Sequence, residues 1–350
     1  MDARNNAHAF QNAFSKLKKV PKIPRYTINT LREDVSSTPA DKKFKIEGNV
    51  SGWDYNFTWI KGRRPTMEDS HLVMRIDSCD LEIFAIFDGH GGNGVADKVV
   101  ELLPKTVEKV VKEYLREENC AESNKNGESF TKNNPDSLKF SETTSEVEPI
   151  ETTFIPNLAP LIPTIFKLTD QLFLKHLSAA ETSSGATAAV IIAHNSKIYC
   201  AHIGDSRIML FSKTGENIYN SPDHKVSTPS EKTRIEKAGG YVSYGRITTP
   251  GTFGGLAVAR AFGDFQYKKI SEDDVNPDSV SVVPVVNVFD EADVGGILVM
   301  CDGVTDVLED ERIFEIYQNK KTEDLAEFLV MDSFENGSLD NISACFVRRK

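Results

Sequence analysis

Leu81-Glu82-Ile83-Phe84-Ala85-Ile86-Phe87-Asp88-Gly89-His90-Gly91-Gly92 is an apolar run that ends on a carboxylate and a glycine-rich loop. The run reads as a buried strand. His71 to Ile76 reads as its partner, because the intervening Asp77-Ser78-Cys79-Asp80 is turn-rich and predicts a hairpin. The same ending returns at Leu298-Val299-Met300-Cys301-Asp302-Gly303 and, with the apolar run following, at Leu339-Asp340-Asn341-Ile342. Carboxylates at the ends of buried strands are costly to leave unpaired. A bound metal is the simplest group that would hold several of them together.

Outward from this stretch, Asn93 can cap a helix whose stripe is Val95, Val99, Leu103, Val107, Val110 and Leu115, ending near Arg116. Residues 117 to about 155 are rich in Glu, Ser, Thr and Asn and cannot bury enough apolar surface to offset their ordering entropy, so a disordered insertion is expected. Leu161, Ile165, Leu168 and Leu172 mark a second helix. Apolar runs follow at Ala188 to Ala193, Ile198 to His202, Arg207 to Phe211, Leu256 to Arg260, Ile297 to Cys301 and Ile342 to Val347. Further helices are expected near Ser230 to Lys237, Glu309 to Tyr317 and Thr322 to Met331. Short antiparallel-type strands with helices between blocks of them point to α+β layers rather than a regular parallel sheet.

The first 50 residues carry about ten Lys and Arg against roughly five Asp and Glu, whereas the whole chain has a net charge of -11. Residues 1–48 therefore read as a basic, flexible extension and 49–350 as the folded domain. Within the extension Phe10, Ala13, Phe14 and Leu17 fall at helical spacing, open to a solvated tail, a docking peptide or a mitochondrial targeting helix. The acidic total argues against nucleic acid as a partner. Five scattered cysteines without a C-x-x-C pair fit a reducing compartment. No apolar run approaches a membrane span and no secretory core is visible. Cytoplasm or nucleus is the expected location, mitochondria the alternative, and a monomer the expected state.

Arg64-Pro65-Thr66-Met67-Glu68-Asp69 sets a guanidinium that can grip phosphate ahead of two acids that can anchor a cation or its waters. In Asp88-Gly89-His90-Gly91-Gly92 the glycines admit close approach of a ligand, Asp88 can bridge two cations, and His90 is a candidate acid near neutral pH. The G-x-x-x-x-G-K-[ST] order of a P-loop is missing. Gly204-Asp205-Ser206-Arg207, Asp302-Gly303-Val304-Thr305-Asp306 and Asp340-Asn341 each read singly as a turn, a strand end or a cap.

Taken in order, RPTMED, FDGHGG, SSGATA, HIGDSR, SPDHK, GGLAVARAFGD, MCDGVTDV and SLDN resemble the metal-dependent protein phosphatase 2C family of serine/threonine phosphatases. The resemblance runs from about residue 57 to the C-terminus. It implies two packed antiparallel β-sheets flanked by α-helices, a four-layer α-β-β-α sandwich, with the metal site at one edge. It further implies two Mg²⁺ or Mn²⁺ ions bridged by Asp88, with the Gly89 carbonyl on one and Asp302 and Asp340 on the other. Glu68 and Asp69 would bind surrounding waters, Arg64 the substrate phosphate, and Asp205 a weaker third ion, with Asp306 a supporting acid. His90 would protonate the leaving seryl or threonyl oxygen of a phosphoprotein.

All-oxygen ligands suit Mg²⁺ or Mn²⁺ better than zinc, and no catalytic cysteine motif is present, which fits direct attack by water without a phosphoenzyme. The other reading is a catalytically weak pseudophosphatase that serves as a binding scaffold, against which the retained ligands count. Departures from the family pattern are a longer stretch between Arg246 and Leu256, Thr305 in place of a large apolar residue, and Cys301 in place of serine. His8, His71, His176, His194, His202 and His224 lack metal-like spacing and are expected to pack or face solvent.

Overall fold

The computed structural model describes residues 29–30, 39–125, 157–173, 183–248, 255–268 and 278–350. In chain order the strands are β1 (Asn29–Thr30), β2 (Phe44–Val50), β3 (Trp53–Ile60), β4 (Ser70–Ile76), β5 (Leu81–Phe87), β6 (Gly89–His90), β7 (Gly185–Ala186), β8 (Ala188–His194) and β9 (Lys197–Ile203). They continue as β10 (Arg207–Ser212), β11 (Asn217–Asn220), β12 (Tyr241–Ser243), β13 (Arg246–Thr248), β14 (Phe262–Gly263), β15 (Val285–Asp290), β16 (Val294–Met300) and β17 (Ile342–Arg349). One six-stranded sheet has the order β1-β4-β5-β8-β9-β15 and the other β11-β10-β16-β17-β3-β2. Every pairing within them is antiparallel. β14, β7 and β6 make a small third sheet, and β12 and β13 a separate hairpin.

β5 shows why the apolar run is nearly continuous: both of its faces are covered. Leu81, Ile83, Ala85 and Phe87 pack under the helices Gly94–Lys125 and Ile162–Phe173, while Phe84 and Ile86 point into the layer between the two sheets. With a side-chain period of two, a strand buried on both faces has no polar side to show. In β17, Cys345 and Val347 enter the central layer, whereas Ile342, Ala344 and Phe346 pack with the helices Asp310–Asn319 and Leu325–Glu335. Helix, sheet, sheet and helix therefore stack in the expected four-layer α-β-β-α arrangement. A satellite cluster of Val226, Ile235, Ile247, Val258, Ala259 and Tyr267 lies under the helix Pro229–Lys237.

The predicted hairpin forms with Ser70 opposite Phe87 and Ile76 opposite Leu81. The stripe from Val95 to Val110 is buried as expected, with Leu115 packed at its margin. Three expectations need correction. The boundary at residue 48 cuts through β2, which pairs along its whole length with β3, so the second sheet begins at Phe44. The alternation of Phe44, Ile46 and Val50 carries that strand despite its charged neighbours. The helix does not stop near Arg116 but continues to Lys125, so residues 117–125 belong to it. Leu256 to Arg260 makes only isolated bridges, to Ile247, Lys225 and Ser281, and forms no strand. Phe10, Ala13, Phe14 and Leu17, the rest of the insertion at 126–155, His8 and His176, and residues 249–254 of the lengthened stretch lie outside the described residues.

Phe84 is fully buried between the sheets, with ring centroids 6.3 Å from Trp53 and 6.1 Å from Tyr55. Phe84→Ala is expected to destabilise the fold by about 3–5 kcal/mol. Urea unfolding followed by tryptophan fluorescence measures this; a loss below about 1 kcal/mol would contradict the central-layer packing.

Candidate metal centre and active site

The register brings one end of several strands together. Ser70 pairs with Phe87, Ile342 with Ile60, and Met300 with both Ala344 and Arg207. The residues just beyond these pairs are Asp69, Asp88, Lys61, Cys301 and Ser206, so strand ends from both sheets meet at one edge. Asp302 opens the one-turn helix Asp302–Thr305 directly after β16. Asp340 and Asn341 immediately precede β17, and Asp205 lies in the turn between β9 and β10.

The carboxylates are close enough to raise one another. Burial pushes the Asp88 carboxyl well above its ordinary value, and the charges of Asp302, Asp69, Asp205 and Asp340 push it further. Asp302 is raised by burial and then by Asp205, Asp340 and Asp306, partly offset by a hydrogen bond shared with Asp88. Burial lifts Asp69 to about 7, against the hydrogen bond from Ser343, and Asp205 to about 6 with help from Asp223. Asp306 is raised by burial, although its side chain is exposed at the rim.

Hydrogen bonds fix the surrounding groups. Ser343 Oγ donates to Asp69 Oδ2 at 2.6 Å and meets His71 Nε2 at 2.9 Å, so the buried His71 stands behind the acidic cluster. Thr66 Oγ1 donates to Glu68 Oε1 at 3.0 Å and the Gly92 amide to Glu68 Oε2 at 3.2 Å, joining the two sequence blocks that carry them. The Thr187 amide donates to the Asp88 carbonyl at 2.9 Å. Arg64, half exposed, places Nη2 2.5 Å from Asp340 Oδ2.

His90 Nε2 lies 2.7 Å from Asp264 Oδ2. Burial alone would lower the imidazole pKa, but the charge and hydrogen bond of Asp264, with smaller help from Asp205 and Glu68, raise it. This pair needs Gly185: a Cβ there would fall 2.0 Å from Asp264 Oδ2 and 2.4 Å from His90 Nε2. Asp264 itself sits at φ 52, an uncommon conformation for a non-glycine residue, stabilised by its amide's bond to the Ser184 carbonyl. On either side of it, Asp170 accepts from the Gly263 amide at 2.7 Å and from Lys268 Nζ at 2.8 Å.

The donor set fits a hard divalent cation. Asp302 Oδ1 is buried without a hydrogen-bond partner among the described residues, and ligand atoms of Asp69, Asp88 and Cys301 lie within 4.8 Å of one another. Cys301 is the odd member, because its thiol donates to the Asn341 carbonyl and accepts from the Ser343 amide while burial pushes its pKa well up. The oxygen donors remain, and they suit a hard divalent cation.

Asp88, Gly89, Asp302, Asp340, Glu68, Asp69, Asp205, Arg64 and His90 thus gather at one edge. Sequence reading assigned no role to Asp264, Asn341 or Ser343, although the first two lie in motifs it had singled out. Asp264 is 174 residues from its histidine, and no local pattern links them.

With this geometry in place, comparison with known proteins is direct. The family model for protein phosphatase 2C matches residues 133–342. A Paramecium tetraurelia protein described as probable protein phosphatase 2C 2 is 30% identical over 329 residues, covering 90% of this chain and 98% of its own. Protein phosphatase 2C homolog 3 of Schizosaccharomyces pombe is 29% identical over 328 residues, covering 89% and 68%. The fold matches a crystal structure of serine-threonine phosphatase 2C from Toxoplasma gondii with a TM-score of 0.63 at 21% identity, over 88% of this chain and 99% of that one. The chain belongs to the protein phosphatase 2C family of metal-dependent serine/threonine phosphatases.

The raised carboxyls give a pH signature. Each holds its proton more tightly in the folded than in the unfolded chain, so its stabilising contribution is complete below the unfolded value of ~3.9. That contribution is lost as pH rises through about 6 for Asp205 and about 7 for Asp69. A divalent cation binds the deprotonated forms. In calorimetry, Mn²⁺ relative to EDTA is expected to raise Tm more at about pH 7.5 than at about pH 5; equal shifts at both would contradict the assignment.

Proposed function

We propose that this chain hydrolyses phosphoserine and phosphothreonine in proteins using two Mg²⁺ or Mn²⁺ ions. Asp88, the Gly89 carbonyl, Asp302 and Asp340 would hold them, with Glu68 and Asp69 reaching through water and Asp205 serving a third, weaker ion. The observation that carries this reading is the buried, unpartnered Asp302 Oδ1 within a cluster of mutually raised carboxyls, beside a histidine paired to a carboxylate. When bound, such cations supply a nucleophilic water at neutral pH and offset charge on the phosphoryl oxygens.

The protein's own groups complete the site. Arg64 exchanges its contact with Asp340 for the phosphoryl oxygens of the substrate, to which a guanidinium can donate twice. His90, charged with the help of Asp264, gives a proton to the leaving seryl or threonyl oxygen as its bond to phosphorus breaks. Because Nε2 faces Asp264, Nδ1 is the nitrogen assigned to that transfer. Water supplies the new oxygen on phosphorus, and no side chain is phosphorylated.

Phosphate release from a phosphothreonine peptide is expected to require Mn²⁺ or Mg²⁺ and to be lost in Asp302→Asn. His90→Gln should lower kcat by about 10²–10⁴-fold on the peptide and much less on p-nitrophenyl phosphate, whose leaving group needs no proton. No metal-dependent release from folded protein would overturn the reading in favour of a binding scaffold, and a trapped phosphoenzyme would overturn direct attack by water.

A further inference from the structure

Asn341 follows Asp340 at the head of β17 and is buried. Its side chain bonds to the backbone of one loop, residues 61–68. Nδ2 donates to the Lys61 carbonyl at 2.7 Å and the Thr66 carbonyl at 2.9 Å, and Oδ1 accepts the Glu68 amide at 2.8 Å. Two carbonyls and one amide leave no doubt about the orientation of the carboxamide, since turning it over would set like against like in all three contacts. The loop is thereby pinned near both ends, and Arg64 lies between the pins.

Other contacts press the same loop onto the end of the helix Leu325–Glu335 and the segment leading from it to β17. Gly62 has φ +63, and a Cβ there would lie 1.9 Å from the Asp340 carbonyl oxygen, so the two backbones are in direct contact. Arg63 donates to the Phe334 carbonyl at 3.2 Å and to the Ser338 carbonyl, with its guanidinium 4.3 Å from the Phe334 ring centre. The Asn341 amide in turn donates to Asp340 Oδ1 at 2.7 Å. One residue therefore orients a carboxylate through its backbone and a loop through its side chain.

We infer that Asn341 is a positioning residue that keeps Arg64 in register with Asp340, so that phosphate recognition and cation binding are set by one rigid unit. The inference rests on the phosphatase reading above and adds to it how the phosphate-gripping arginine is held. Loss of the carboxamide frees the loop while the backbone bond to Asp340 stays. The cost falls on substrate and phosphate binding through Arg64 rather than on the chemical step.

The test is a double-mutant cycle of Arg64→Ala and Asn341→Ala at saturating Mn²⁺, read as KM, kcat and inhibition by inorganic phosphate, with hydrogen exchange of the Glu68 amide alongside. Asn341→Ala is expected to raise KM on the order of tenfold, weaken phosphate inhibition in parallel, leave kcat within about threefold and speed exchange at Glu68. In the Arg64→Ala background it should add little further to KM. Independent, multiplicative effects on KM, or a fall in kcat alone with Glu68 still protected, would overturn the inference and leave the phosphatase reading intact. An unchanged KM and phosphate inhibition in Arg64→Ala would overturn the inference and the phosphate-binding role given to Arg64, while absence of metal-dependent turnover in the unsubstituted protein would overturn the phosphatase reading. Should Asn341→Ala not fold, Asn341→Ser, which keeps one donor for a loop carbonyl, takes its place in the same cycle with a smaller expected KM effect.

Discussion

Burial of several neighbouring carboxylates at the meeting of two sheets is the constraint on which this structure turns. Burial raises Asp88, Asp302, Asp69 and Asp205, and the charges of neighbouring carboxylates raise them further. Nothing in such a cluster is self-stabilising. It is held by what lies behind it: three apolar layers whose strands end together and fix where each acid stands. The fold supplies the free energy that the site consumes, a division of labour common where function requires strained groups.

The same division explains which residues around the acids matter. Ser343 and His71 back Asp69, Asp170 brackets Asp264, and Asn341 gathers the Arg64 loop. Each acts on another residue of the acidic edge: an aspartate, the Asp264 partner of His90, or the Arg64 loop. Metal and phosphate sites are sensitive to such supporting contacts, because ligand geometry must be set before the ligand arrives.

Much of the frame was legible in the chain because both-face burial leaves a plain mark. β5, β8 and β16 are apolar runs bounded by acids or turns, and the acids at their ends announce the site. β2 was not legible as part of the sheet, since Lys45, Glu47 and Asn49 dominate its exposed face at the sheet edge and it reads as a continuation of the basic extension. The longer helix also escaped, because the polar composition beyond Arg116 reads as loop although it does not exclude helix. The supporting partners were invisible for a different reason. His90 with Asp264 and Asn341 with Lys61 are contacts between residues 174 and 280 positions apart, created by topology rather than by local pattern.

The placement of Asp340 and Asn341 at the head of β17 has a consequence for biosynthesis. β17 lies between β16 and β3 in the second sheet, so that sheet stays split until residues 342–349 have been made and inserted. The acidic edge draws on residues from positions 68 to 340, and Asp340 arrives with the strand that closes the sheet. A ribosome-bound chain lacking that strand would have a gap in the sheet and an incomplete acidic cluster. Assembly of the acidic cluster and closure of the second sheet are therefore a single event.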